Sequence, residues 1–193
     1  MSTQKPEPSG RPGRYQRSAW GLVVSLLVTV VALAGLYAFT GAFRNDFEIK
    51  PEKVDYLASV AAAQQAGLSP AYPASLPKGW IATGAEVTPG DRPVFTLRML
   101  TDENRFVGVR QEDASIGSLV SRWVDEDAED AEGYTVPASV TAPVAREWEG
   151  FVDASGDTAY AAEVGEETVL VFGSASAKEL QQVVDSLTTA PVR

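Results

Sequence analysis

The sequence predicts an α+β fold: an antiparallel β-sheet with helices packed on it in the order βββα-βββα, preceded by one transmembrane helix. Three observations carry this. Residues 19–43 (AWGLVVSLLVTVVALAGLYAFTGAF) hold no charge, and several short stretches after residue 80 alternate apolar and polar side chains. Two segments, after Ser115 and after Ser176, switch to the spacing of amphipathic helices. Short strands joined by short turns pair antiparallel, and their apolar face needs a helical cover.

Taken in order, residues 1–18 carry Lys5, Arg11, Arg14 and Arg17 against one acid, Glu7, among Pro6, Pro8, Gly10, Pro12 and Gly13. They read as a disordered, basic cytoplasmic tail able to touch anionic lipid. A helix of residues 19–43, at about 1.5 Å per residue, reaches roughly 37 Å and exceeds a hydrocarbon core of about 30 Å. Trp20 at one end and Tyr37, Phe39 and Phe43 at the other suit the two interfaces. The positive-inside rule then puts the N-terminus in the cytoplasm and the rest of the chain outside a single-pass cell-membrane anchor. The same run also fits a cleaved signal peptide, with Arg14 and Arg17 as basic region and Ala32-Leu33-Ala34 as a small-x-small site. Its continuation through Leu36, Tyr37, Ala38 and Phe39 favours a retained anchor, and with no Cys after it lipoprotein attachment is excluded.

Residues 44–79 comprise a polar link, a helix opened by Pro51 and closed after Ala66 by Gly67, and a proline-rich loop over 68–79. Val54, Leu57, Ala58 and Ala61 would form the thin apolar stripe of that helix. The extracytoplasmic domain occupies 80–193. Its strands are Trp80–Thr88, then Pro93–Leu100 with Phe95, Leu97 and Met99 on one face, then Arg105–Gln111 returning as a hairpin partner. Ser115 caps a helix carrying Ile116, Leu119, Val120, Trp123 and Val124 on one side. Strands follow at Arg146–Asp153, Thr158–Val164 and Glu167–Phe172. Ser176 with Glu179 then makes a capping box for a last helix with the stripe Leu180, Val183, Val184 and Leu187. At an offset of 61, Ala114, Ser115 and Leu119 align with Ala175, Ser176 and Leu180, through either an internal duplication or shared capping chemistry.

Composition narrows the chemistry. The 193 residues include 16 Lys+Arg and 26 Asp+Glu, a net charge of −10, with no His and no Cys. His- and Cys-based catalysis, ligation of zinc, haem or iron–sulfur clusters by those residues, and disulfides are therefore excluded. Removing Glu7 and the four bases of the tail leaves 25 acids and 12 bases outside, a net of −13, so nucleic acid is not a partner. Asp125, Glu126, Asp127, Glu129, Asp130 and Glu132 crowd eight positions, yet Asp130 and Val136 stand where a calcium loop needs Gly and Glu. A solvated acidic loop is the expectation.

Glu147 and Glu149 flank Trp148 and share a strand face at about 7 Å, a separation glycosidases use. A solvent-facing strand gives the same pattern. Ser75-Leu76-Pro77-Lys78 has the S-x-x-K spacing, but Pro77 forbids the helix that would bring Lys78 to Ser75. Gly79 and Gly84 stand alone and make no phosphate cradle. Trp123 and Trp148 are expected in the core, and Trp80 at the start of the sheet. No residue is singled out as catalytic, cofactor-binding or metal-ligating, and no cofactor is expected.

The basic N-terminus, the spanning helix, Val54-Asp55-Tyr56, Leu76-Pro77-Lys78-Gly79-Trp80, and Gly173-Ser174-Ala175-Ser176 before Glu179-Leu180 and Ser186-Leu187 resemble the actinobacterial membrane proteins grouped as domain of unknown function 4245. The resemblance implies a single-pass envelope protein and supplies no catalytic residues. The expected function is a noncatalytic, membrane-anchored domain that binds an envelope component, whether protein, wall polymer or small ligand, through the sheet face or residues 125–145. The alternative is a carboxylate-based hydrolase of cell-wall glycan using Glu147 and Glu149.

Overall fold

A computed structural model describes residues 19–42 and 51–192, the first stretch with side chains over 22–36 only. The expected tail 1–18, the link 44–50 and the side chains of Trp20, Tyr37, Phe39 and Phe43 lie outside what is described. The chain forms two compact units, Met1–Lys50 and Pro51–Arg193.

The first unit contains α1 (Ala19–Ala42), a helix of 24 residues. Thr29 Oγ1 donates to the Ser25 carbonyl at 2.9 Å, returning its hydroxyl to the helix's own backbone. From Leu22 to Leu36 the large apolar side chains are all exposed. Among the described residues no helix is long and apolar enough to cross a membrane.

The second unit runs α2 (Tyr56–Gln65), β1 (Tyr72–Pro73), β2 (Ile81–Thr88), β3 (Val94–Leu100), β4 (Phe106–Glu112) and α3 (Ile116–Trp123). It continues through β5 (Glu129–Thr135), β6 (Glu147–Val152), β7 (Thr158–Val164), β8 (Glu167–Gly173), α4 (Ala177–Ser186) and β9 (Leu187–Thr188). Seven strands make one antiparallel sheet in the order β2-β3-β4-β8-β7-β6-β5, and β1 pairs separately with β9. This is the α+β class that the alternating strands and capped helices predict.

The expected βββα-βββα order is corrected by β5, which gives the second half a fourth strand. Residues 129–135 (EDAEGYT) have no apolar alternation, and all but Tyr134 are exposed. They become a strand by hydrogen-bonding to β6, with a bulge between Ala131 and Tyr134, and they form one edge of the sheet. Acidic side chains on an edge strand oppose pairing with another chain.

The start of α2 is also corrected. Asp55, not Pro51, is its N-cap, with the carboxylate accepting from Ala58 N at 3.3 Å. Val54 stays extended, its N–H donating to the Ala82 carbonyl at 2.9 Å. The helix therefore buries Tyr56, Val60 and Ala63 most deeply; of the expected stripe Val54 and Leu57 pack half-buried against the core, while Ala58 is exposed. The Tyr56 hydroxyl donates to the Pro73 carbonyl at 2.9 Å, which ties the helix to β1.

The sheet has two unequal faces. One carries the main core: Phe95, Leu97, Met99, Val107, Val109, Trp148, Val169 and Val171 under Val60 of α2 and Leu180, Val183 and Val184 of α4. On the other face Leu119 and Val120 of α3 cover Phe151, Ala159, Ala161 and Leu170. The two amphipathic helices thus lie on opposite faces. This resolves the 61-residue match. Side chains alternate with period two, so an odd offset moves Val109 on the α4 face to Leu170 on the α3 face. In the sheet Val109 pairs instead with Val171. The aligned serines mark two helix starts and not a two-fold repeat.

Both caps form as their sequences predict. Ser115 Oγ accepts from Ser118 N at 3.3 Å. Ser176 Oγ accepts from Glu179 N at 3.4 Å while Glu179 Oε2 takes the Ser176 N–H at 2.8 Å, the full capping box. At the other end of the unit, Val192 N donates to Gln64 Oε1 at 3.0 Å and the Tyr72 hydroxyl to the Ala190 carbonyl at 2.7 Å.

Candidate functional site

The α3 face of the sheet is only partly covered, because α3 is eight residues long. Its last residue, Trp123, overhangs the helix end. The ring is 38% exposed, the one large apolar side chain of residues 51–192 in that state among the described residues. Trp123 is therefore not the core residue that its place in the stripe predicts; Trp148 and Trp80, at 3% and 7%, are buried as expected.

What holds Trp123 is a polar ladder on β3 and β4. The guanidinium carbon of Arg110 lies 3.9 Å from the Trp123 ring centroid, a cation–π stack. Arg110 Nε donates to Glu112 Oε2 at 2.7 Å, and another of its nitrogens to Thr96 Oγ1 at 3.0 Å. Glu112 is buried at 5% exposure, and its second oxygen accepts from Arg122 of α3 at 3.0 Å. Two hydrogen-bonded arginines compensate one buried carboxylate, and the ladder fixes both faces of its own geometry.

Phe172 of β8 sits beside the indole, with ring centroids 6.4 Å apart, and Phe106 of β4 meets Phe172 edge-on at 5.8 Å. Gly108 makes room for this, because a Cβ there would stand 2.7 Å from the Phe172 ring. Gly173 follows at φ +145°, and a Cβ on it would strike the Phe106 carbonyl oxygen.

These rings open onto a hollow of about 240 Å³, whose far side is the β6–β7 turn with Asp153, Asp157 and Thr158. A second hollow of about 450 Å³ adjoins it, sharing Asp157, Thr158 and Ser174 and adding Glu103, Arg105 and Glu179. The two form a groove along one end of the sheet, where β4 and β7 begin, β8 ends, α3 stops and α4 starts.

The groove's polar groups are ordered. Asp153 Oδ1 accepts from Ser155 N and Ser155 Oγ, both at 2.8 Å, and from Asp157 N at 2.9 Å. The Ser155 hydroxyl and then the Asp157 N–H hold the Asp153 carboxyl below its usual range, so it is ionised at neutral pH. The hydroxyl and backbone N–H of Ser176 do the same for Glu179, with the charge of Arg105 adding to them. Arg105 donates to the Ser174 carbonyl at 3.3 Å, and Ser174 Oγ accepts from Phe106 N at 3.1 Å. The Asp157 carboxylate makes no hydrogen bond among the described residues and faces the groove open-handed. Chemically the groove offers an aromatic wall, carboxylate acceptors and one guanidinium.

The residues weighed from sequence lie elsewhere. Glu147 and Glu149 are exposed on β6, Glu147 accepting from Thr135 Oγ1 at 2.6 Å. The acids from Asp125 to Glu132 fall on a turn and on β5. Among the described residues no three His, Cys, Asp or Glu side chains are grouped to hold a metal ion. Ser75 and Lys78 are exposed and outside any helix. Sequence reasoning missed the groove because its walls come from four separate segments; the available signal was a Trp late in the apolar stripe after Ser115, with Arg110 and Glu112 two residues apart on a strand.

A family described as protein of unknown function, DUF4245, matches over residues 14–187. No curated protein matches the chain.

Proposed function

We propose that this chain, which belongs to the DUF4245 family of proteins of unknown function, is a membrane-anchored, noncatalytic binding protein of the cell envelope. The anchor is α1: the uncharged run 19–43 has the length of a span, and α1 exposes its apolar side chains from Leu22 to Leu36. The basic tail then lies in the cytoplasm and residues 51–193 outside. The binding site is the aromatic groove. The observation that carries this is Trp123, a large ring more than a third exposed yet held by Arg110, which Glu112 fixes in turn. The ring stands in the groove already immobilised, and a contact surface ordered beforehand binds a ligand at a lower entropic cost.

The test is in-cell photocrosslinking with a photoreactive residue at position 123 and a control at the exposed Ser139. The reading expects a specific species captured at 123 and not at 139, from a protein that stays in the membrane pellet after alkaline carbonate. Capture at 139 alone, equal capture at both positions, or release into the soluble fraction overturns it.

A further inference from the structure

The chemistry of the groove goes further than the fact of binding. Resting on the binding reading above, we infer that its ligand is an uncharged pyranose glycan, stacked on the ring of Trp123 and hydrogen-bonded through its hydroxyls to Asp153 and Asp157.

Charge decides against the other envelope polymers. Glu103, Asp153, Asp157 and Glu179 face one arginine, Arg105, which already donates to the Ser174 carbonyl and sits beside Glu179. The part of the chain from residue 44 onward has a net charge of −13, counted from 12 bases and 25 acids. A phosphate-rich polymer meets like charge both at the site and over the approach to it. A cationic peptide would find the acids, but Arg110 already stacks its positive charge on one face of the indole at 3.9 Å, which weakens the ring's pull on a second cation at the other face. A neutral ligand keeps what remains: aromatic surface and unused acceptors.

The geometry suits a sugar ring. The C–H faces of a pyranose carry the slight positive charge that an aromatic face attracts, and they are flat enough to lie against an indole. Hydroxyls at the ring's rim need acceptors beside the aromatic wall, and an ionised carboxylate with free lone pairs takes two of them. Asp157 is such a carboxylate, and Asp153 spends one oxygen on its own turn, leaving the other. The wall is rigid before the ligand arrives, because Arg110 is fixed by Glu112 and Thr96. The second hollow, continuous past Ser174, lets the chain run on to further residues.

The experiment uses the full-length protein in lipid nanodiscs and follows binding by isothermal titration calorimetry, a readout that does not depend on the indole being present. The probes are chitotetraose, cellotetraose, maltotetraose and mannotetraose, with poly(glycerol phosphate) and tetralysine as the charged arms. At least one of the four neutral tetrasaccharides is expected to give a saturable change that survives high salt. Trp123→Ala should weaken it about ten-fold or more, Trp123→Phe much less, and Asp157→Asn should weaken it measurably with an unchanged thermal midpoint. Asp157→Asn, exposed to the groove and without structural hydrogen bonds from its carboxylate, keeps the test decisive if Trp123→Ala fails to fold. Silence from all four sugars overturns the assignment, as does a sugar response that Trp123→Ala and Asp157→Asn leave intact, or binding confined to a charged arm. If the sugars fail while crosslinking at position 123 still captures a partner, the glycan falls and the binding reading stands. If both fail, both fall.

Discussion

Replacing Glu112 by Gln tests what holds the indole wall in place. The Glu112 side chain is 7% exposed and that of Arg110 only 13%, so their contact is shielded from water. Glu112 Oε2 accepts from Arg110 Nε at 2.7 Å, and Oε1 accepts from Arg122 at 3.0 Å. Removing one partner of a buried ion pair costs about 3–5 kcal/mol, because the other charge stays buried without compensation. Gln keeps the volume and one acceptor, and Thr96 Oγ1 still accepts from Arg110 at 3.0 Å, which brings the expected loss to about 2–3 kcal/mol. The second limb differs. Arg122 is 55% exposed in its pair with Glu112, so Arg122→Ala should cost only about 0–1 kcal/mol. Urea unfolding by far-UV circular dichroism measures both, and tryptophan emission reports the loosened stack over Trp123. A loss below about 0.5 kcal/mol for Glu112→Gln, or equal losses for the two variants, would refute the burial argument behind both numbers.

Three other outcomes follow from local geometry. Gly173→Ala drives a Cβ into the Phe106 carbonyl oxygen at φ +145°, and should destabilise by more than about 1 kcal/mol, whereas Gly117→Ala in α3 meets nothing within 4 Å and should stabilise by up to about 1 kcal/mol; thermal melts of the two should move in opposite directions. Glu179 has its carboxyl held below its ordinary 4.5, so its stabilisation is present above that value and is lost as pH falls through the lower folded value. The stability gap between wild type and Glu179→Gln should close on acidification, and a gap that widens contradicts the capping box. Tyr134 is pushed up to about 12 by burial and then by its hydrogen bond to Asp185, so it should be among the last tyrosines to ionise in an alkaline absorbance titration, and Asp185→Asn should bring it down. Because its folded value is raised, that contribution to stability is complete below pH 10 and fades as pH rises.

The strands with a two-residue period were legible almost to the residue. Phe95, Leu97 and Met99 point into the core as their alternation demands, and Thr158–Val164 forms a strand over the predicted span. The caps at Ser115 and Ser176 were equally visible, since a side-chain oxygen before an apolar stripe is a local signal. β5 was not, because nothing in EDAEGYT favours a strand until β6 offers hydrogen bonds. The α2 stripe was legible only at Val54 and Leu57, for a similar reason: Val54 has a better partner in the Ala82 carbonyl than in a helical turn, which moves the helix start and brings Tyr56, Val60 and Ala63 to the buried side. At the groove the sequence places Trp123 correctly on the apolar side of α3 but cannot show that the helix ends there, with no further turn to bury the ring. Arg105, Asp157 and Ser174 lie far apart along the chain and meet only through the β4–β8 and β7–β8 pairings.

The clasp between α2, β1 and the last residues bears on when this domain can exist at all. Gln64 meets Val192 across 128 positions, and Tyr72 meets Ala190 across 118. Loops of that length close late, after the shorter-range hairpins have formed. Residues 187–192 are made more than a hundred positions after α2 and β1, which have no complete seat until those residues emerge. A chain not yet made as far as residue 187 therefore carries its hairpins without their closing fastener, and closure of the domain waits for the segment that locks α2 and β1 in place.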